Sequence, residues 1–260
     1  MAPARAQGRG MAGHSRWAKV KHYKGTIDQR RGKLFSKLSK EITVAARLGG
    51  GDPNFNQRLR QAIATARGES VPVDNIERAI KKGTGELEGA AYDEMTYEGY
   101  GPGGIAILIE AATDNKNRSA AEIRAIFTKH HGNMAGAGSV AWMFHRKGIV
   151  TINGPGISED DVIAAALDAG ADDVKSHDDV VEVITPPDNH LDAVAKALEA
   201  AKIPVASAKL SYLPENLTAV TDPQIAEQVL DLIHALDDHD DVQMVHANLD
   251  LAPELVAKVS

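Results

Sequence analysis

The chain of 260 residues contains no cysteine. That removes disulfides, thiolate zinc ribbons and a thiol nucleophile from consideration, and it suits a reducing compartment. Long apolar runs are missing too. No stretch approaches the roughly 18 residues that a membrane-spanning helix needs, and the opening MAPARAQGRG lacks the apolar centre of a secretory signal. Catalytic signatures are equally scarce: G-x-S-x-G, G-x-x-x-x-G-K-[ST] and H-E-x-x-H are all absent. These absences predict a soluble cytoplasmic protein that is not an enzyme and has no metal, no cofactor, no small-molecule substrate and no membrane partner.

The charge is unevenly placed. The net charge of −7 conceals residues 1–90, with 18 Lys and Arg against 8 Asp and Glu (net +10), and residues 91–260, with 11 against 28 (net −17). A basic module joined to an acidic body points to a polyanionic partner met by one end of the molecule. A solvated basic helix face is the plainer alternative. At 260 residues, with 43% hydrophobic and 25% charged residues, the chain is long enough for two or three compact units, each with its own core.

Hydrophobic periodicity divides the sequence further. Residues 1–10, without an acidic group, read as an extension before a second start at Met11; ten residues are few for a transit peptide. From Thr26, Ile27, Leu34, Phe35, Leu38, Ile42 and Ala45 recur at helical steps as far as Gly49-Gly50-Gly51. Asp52-Pro53 supplies an N-cap and first-turn proline for a second helix with Phe55, Leu59, Ala62, Ile63 and Ala66 on one face. A third follows Pro72 and stops at Gly83. Beyond residue 90 the period becomes two: YDEMTYEGY, the tight GPGG and IAILIEA form a hairpin, a helix covers 118–131, and VAWMFH reads as a strand. From IVTI to VASAKLSYL the order is β-α-β-β-α-β, the ferredoxin-like split motif. Helix 223–236 and strand 242–249 need a sheet to join, and the two strands and one helix of 91–135 need more strands. The expected fold is therefore multidomain α+β. A basic three-helix domain spans 11–90. One α+β (ferredoxin-like) domain is built from 91–135 plus 213–250, with a second, 136–212, inserted into it.

The basic module carries the candidate contacts. MAGHSRWAKVKHYKG mixes Arg16, Lys19, Lys21 and Lys24 with Trp17 and other aromatics; cations neutralise phosphates and release counterions, while aromatic faces stack on exposed bases. Trp17 could equally pack under the bundle. Arg30, Arg31, Lys33, Lys37 and Lys40 extend the stripe, and the three- and four-residue steps of 30, 33, 37 and 40 place them on one helix face, where they can follow a backbone. Asn75, Glu77, Arg78, Lys81 and Lys82 are a weaker cluster on the third helix. Gly99-Tyr-Gly-Pro-Gly-Gly104 spells G-x-G-x-x-G, but a strand follows instead of a helix, so a turn with Gly99 and Gly101 at positive φ is expected. Lys116 and Arg118 in TDNKNR fit either phosphate contact or helix capping, and Arg146 and Lys147 are placed at a hairpin tip. The run Asp237-Asp-His-Asp-Asp241, with His234 and His246, lacks metal-ligand spacing and reads as a solvated turn.

Taken in order, MAGHSRWAKVKHYKG, RRGKLFSKLSKEITVAARLGGGDP, DNIERAIKKGTGE, YEGYGPGG, TDNKNR and GSVAWMF resemble the YebC/PmpR family, which includes the mitochondrial translational activator of cytochrome c oxidase subunit I. The resemblance starts at Met11 and extends more weakly to about residue 250. It implies a helical domain with two α+β domains and a role in binding nucleic acid. That role is either DNA-binding transcriptional regulation or, as a ribosome-associated factor on ribosomal RNA, help for translation through proline-rich stretches. The sequence departs from the family at Lys116, where Arg is commoner, and at His130-His131-Gly132-Asn133, where a second Gly is usual. A helix-turn-helix reader should set three or four side chains on base edges, whereas RNA or ribosome binding needs only backbone and stacking contacts. Abundant charge without an Asn/Gln-rich recognition face leans to the second, and usage in the family to the first.

Overall fold

The computed structural model describes residues 27–154, 157–177, 180–252 and 255. Its first elements are three helices: α1 (Ile27–Gly49), α2 (Gln57–Gly68) and α3 (Val73–Thr84). Their apolar stripes meet in a core of Ile42, Ala45, Ala46, Leu59, Ala62, Ile63, Ala66, Val71, Ile76 and Ala79, with Phe35, Leu38 and Ile80 at its margin. No described residue between 27 and 84 is in a strand.

Two details depart from the expected helix boundaries. The second helix begins at Gln57 and is capped by Asn56, so Phe55 lies outside it and is 90% exposed. Asn56 prevails because its buried side chain does three things at once. It accepts the Leu59 N–H at 3.0 Å and donates to the carbonyls of Ala45 and Gly50, both at 2.8 Å, joining the end of α1 to the start of α2. The third helix runs past Gly83 and ends at Gly85, in the left-handed region at φ 82°. Gly83 serves packing instead, because a Cβ there would lie 2.4 Å from the Thr43 carbonyl and 2.7 Å from the Ala46 methyl on α1.

The chain divides into two compact units. The first, residues 27–142 with 224–247 among those described, contains the three helices and a sheet. That sheet is made by β1 (Asp93–Tyr100), β2 (Ala106–Thr113), β3 (Asn133–Ala135) and β9 (Val242–Ala247), in the order β3-β1-β2-β9 with every pairing antiparallel. Helices α4 (Lys116–Lys129) and α7 (Pro223–Asp237) belong to the same unit, and Ile107, Ile109, Ile123, Phe127, Leu232 and Leu236 are all fully or nearly fully buried in it. The β1–β2 connection is the expected turn, but its positive φ angles fall at Gly103 and Gly104 and not at Gly99 or Gly101. Gly99 is required by contact: a Cβ would stand 2.6 Å from the Phe127 ring.

The second unit, residues 143–223 and 248 onward, carries β4 (Phe144–Asn153), α5 (Glu159–Asp168), β5 (Asp173–His177), β6 (Val180–Thr185), α6 (His190–Ala200) and β7 (Val205–Pro214). The sheet order β5-β6-β4-β7, antiparallel throughout, is that of the split β-α-β motif. Val150, Ile152, Val162, Val183, Leu191 and Leu198 form its core. The expected strand VAWMFH starts only at Phe144, since residues 141–143 make a 3-10 turn. Arg146 and Lys147 accordingly lie within β4 and not at a hairpin tip. Strand 242–249 is also interrupted: β10 (Leu249–Leu251) leaves β9 and pairs in parallel with β8 (Thr218–Val220), where Asn248 donates to the Thr218 hydroxyl at 3.0 Å.

Replacing Asn56 by Ala removes an N-cap worth about 1 kcal/mol and strands two carbonyls at roughly 1 kcal/mol or more each. The expected loss is about 2–4 kcal/mol in denaturant unfolding, with the helical region melting first by circular dichroism. An Asn56→Ala protein as stable as the parent would contradict this role.

Candidate nucleic-acid interface

Helix α1 presents its lysines at steps of four and three, so Lys33, Lys37 and Lys40 share one face, as the spacing implies. What that face meets is the end of α7. Lys33 Nζ donates to the Asp238 carbonyl at 3.0 Å, Lys37 Nζ donates to the Asp237 carbonyl and lies 3.3 Å from its carboxylate, and Lys40 Nζ donates to the Asp240 carbonyl at 2.9 Å. The Asp237 carbonyl is in the last turn of α7, where carbonyls lack internal partners and carry the negative end of the dipole, so Lys37 satisfies both; the Asp238 and Asp240 carbonyls lie in the turn beyond. The acidic run 237–241 is therefore a docking turn and not merely a solvated one.

Asp241 is the centre of this contact. Its side chain is 5% exposed and takes Lys40 Nζ at 2.8 Å, Arg118 at 2.7 Å, the Ser119 hydroxyl at 2.7 Å and the Thr113 hydroxyl at 3.1 Å. Burial opposes its ionisation, but the hydrogen bonds from Lys40, Ser119 and Arg118 outweigh burial and hold the carboxyl well below the usual carboxylate range. Asn115 caps α4 by accepting the Arg118 N–H, and Arg118 also pairs with Asp114. The TDNKNR segment thus acts through capping and ion pairing inside the unit, with Lys116 set 3.3 Å from Asp93.

Other cations of the helical region are also engaged. Arg58 grips Glu41 through two hydrogen bonds, at 2.8 and 3.0 Å, and reaches Glu94 on β1 at 2.6 Å. Arg47 donates to the Tyr92 carbonyl. Arg31 is exposed and stands over the Phe35 ring at 5.4 Å. By contrast, the side chains of Arg67, Arg78, Lys81 and Lys82 make no hydrogen bond or ion pair among the described residues, and all four are exposed. Arg16, Trp17, Lys19, Lys21 and Lys24 lie outside the described residues, as does the extension 1–10; Arg30 has its backbone in α1 but its side chain is likewise outside them.

The acidic body carries two features that its residue types alone did not reveal. Glu98 on β1 is 5% exposed and accepts the N–H groups of Gly138, Val140 and Ala141 at 2.7–2.8 Å. Burial opposes its ionisation, yet these backbone donors pull its pKa below the ordinary value. The loop so held exposes Trp142 to 66%. The sequence signal for both is slight, because an apolar VAWMF run reads as a strand and an isolated Glu in a strand reads as solvated. Among the described residues no group of three or more His, Cys, Asp or Glu is arranged to hold a metal, and no helix is long and apolar enough to cross a membrane.

The family model described as the TACO1/YebC protein N-terminal domain matches residues 15–86, and that for the TACO1/YebC second and third domain matches residues 92–249. Over 246 residues the chain is 54% identical to a protein of Methylacidiphilum infernorum named as a probable transcriptional regulatory protein, covering 95% of this chain and 98% of that one. A protein of the same name from Desulfotalea psychrophila is 51% identical over 250 residues, covering 96% and 100%. The crystal structure of a conserved hypothetical protein from Aquifex aeolicus superimposes with a TM-score of 0.82 at 44% identity, covering 91% of this chain and 97% of that one.

Asp241→Asn leaves Lys40 without its carboxylate partner in a shielded position. Removing one member of a buried pair costs about 3–5 kcal/mol, and the low end applies because Arg118 is 43% exposed. A depressed carboxyl contributes stability that is complete above its unfolded value of about 3.9 and is lost as pH falls below it. Stability of the parent should therefore decline from about pH 4 downward, and this limb should be shallower in Asp241→Asn; chemical unfolding between pH 2 and 7 measures both.

Proposed function

Because the chain belongs to the TACO1/YebC family, we propose that it is a non-enzymatic, nucleic-acid-binding regulator of gene expression whose helical region makes the contact. One observation supports this above the others: the positive charge of that region is only partly used up inside the protein. Residues 1–26 contain six Lys and Arg and no acidic residue, and Arg78, Lys81 and Lys82 project from α3 without a partner among the described residues. Residues 91–260, at −17, repel phosphate. The names of the relatives favour transcription. The packing of α1 favours ribosomal RNA and translation, because a helix buried against α2, α3 and the turn at 237–241 has little free face to insert into a major groove.

Within this reading the contacts are Arg16, Trp17, Lys19, Lys21, Lys24, Arg30 and Arg31, with the already engaged Lys33, Lys37 and Lys40 weaker contributors. Neutralising Lys19, Lys21, Arg30, Arg31 and Lys33 together to Gln should weaken binding strongly. Five phosphate contacts give a salt dependence of log K near −3.5 per decade on a single strand and about −4.5 on a duplex. The quintuple variant should lose most of that slope while its thermal midpoint moves little. Unchanged affinity and slope in a folded variant, measured on duplex DNA and ribosomal RNA fragments across a salt series, would remove the stretch from Lys19 to Lys33 as the contact surface.

A further inference from the structure

The facing sides of α1 and α3 enclose a groove of about 330 Å³. From α1 come Phe35, Ser36, Ser39, Lys40 and Thr43; from α3 come Asn75, Arg78, Ala79 and Lys82 at steps of three, one and three, so they form one stripe; Tyr92 closes one end. The floor is small and sealed. Ala79 is buried, and the Thr43 hydroxyl donates to the Ala79 carbonyl at 3.1 Å, which holds the helices in register beneath the opening. Above the floor stand polar side chains from both helices. The side chains of Ser36, Asn75, Arg78 and Lys82 make no hydrogen bond or ion pair among the described residues. Two half-buried aromatic rings complete the lining. Tyr92 is fixed by Lys40, whose Nζ lies 5.3 Å from the ring centroid while anchored to Asp241, and Phe35 lies under Arg31.

We propose that this groove binds one phosphodiester of a single nucleic-acid strand, with Arg78 and Lys82 on the phosphate and Tyr92 or Phe35 against the adjoining unpaired base; the inference rests on the nucleic-acid reading above and specifies its ligand. The lining favours a single strand. Duplex readers push a helix outward into a major groove about 12 Å wide, whereas α1 and α3 here line an open groove with cations and aromatic rings. Charge and aromatic faces side by side are the combination that holds single strands with little sequence preference. Ser36 and Asn75 add hydrogen-bonding groups for a base edge or a sugar. The cations differ from the Lys33, Lys37 and Lys40 stripe in having no ion pair among the described residues.

The test uses the full chain with labelled octamers of uridine and of thymidine, and a blunt DNA duplex, by fluorescence anisotropy over a salt series. The proposal predicts that Arg78→Ala/Lys82→Ala lowers affinity for the octamers at least tenfold and reduces the salt slope by about 1.4, two contacts at roughly 0.7 each. It should change duplex affinity less and leave the thermal midpoint in place. Phe35→Ala, or Tyr92→Phe compared with Tyr92→Ala, reads the stacking: loss of an aromatic face should cost the octamers about tenfold without altering the slope. If the parent binds the octamers and the double variant binds them as well with the same slope, the groove is overturned while the wider reading stands. If the parent binds none of the three probes, the wider reading fails with it.

Discussion

Three ammonium groups laid along the end of a helix decide how the basic part of this protein is built. Lys33, Lys37 and Lys40 reach successive carbonyls and carboxylates between Asp237 and Asp241, and the contact becomes more shielded along the stripe. The Lys33 and Asp238 side chains are 45% and 72% exposed, whereas Lys40 and Asp241 are 12% and 5% exposed. An exposed pair contributes up to about 1 kcal/mol. A shielded one is costly to break because it leaves a charge without solvent or partner. Lys40 and Asp241 therefore fix the docking, and Lys33 follows. Arg118, Ser119 and Thr113 converge on the same carboxylate, so the turn, α4, β2 and α1 are held through one residue.

This arrangement changes what the net charge means. A count of Lys and Arg treats every cation as available, but Lys33, Lys37 and Lys40 of α1 and Arg58 of α2 are used on Asp237, Asp238, Asp241, Glu41 and Glu94. Among the described residues, the cations without an ion pair include Arg31, Arg67, Arg78, Lys81 and Lys82. The functional proposal thus depends less on the total of +10 than on which members of it have been spent within the fold. Arg78 and Lys82 flank the groove between α1 and α3, and the docking contact that neutralises Lys40 is also what sets Tyr92 at its end.

Much of the architecture was legible in the sequence because periodicity and turn chemistry agreed. The apolar steps of Leu34, Leu38, Ile42 and Ala45, and the two-residue alternation before GPGG, each admit one reading, and helices and hairpin lie where those patterns put them. Boundaries were less legible where one side chain outweighs the local pattern, as Asn56 does over Asp52-Pro53 and as Gly85 does over Gly83. The candidate site was legible only as residue types. Spacing placed Lys33, Lys37 and Lys40 on one face, but a helix face does not announce its partner, and that partner lies about 200 positions away in the chain. The DDHDD run had the same ambiguity from the other side. The α1–α3 groove could not be read at all, since it depends on how closely Gly83 lets two helices approach.

The central claim is that nucleic acid meets the uncommitted cations of the helical region. Ultraviolet crosslinking in cells, followed by sequencing of the bound strands and mass spectrometry of the crosslinked peptides, tests it most directly. The account predicts enriched DNA or ribosomal RNA, with crosslinks on peptides from residues 11–35 and 72–92. Crosslinks confined to residues 143–223, or recovery of nucleic acid no higher than from an unrelated acidic protein, would contradict it.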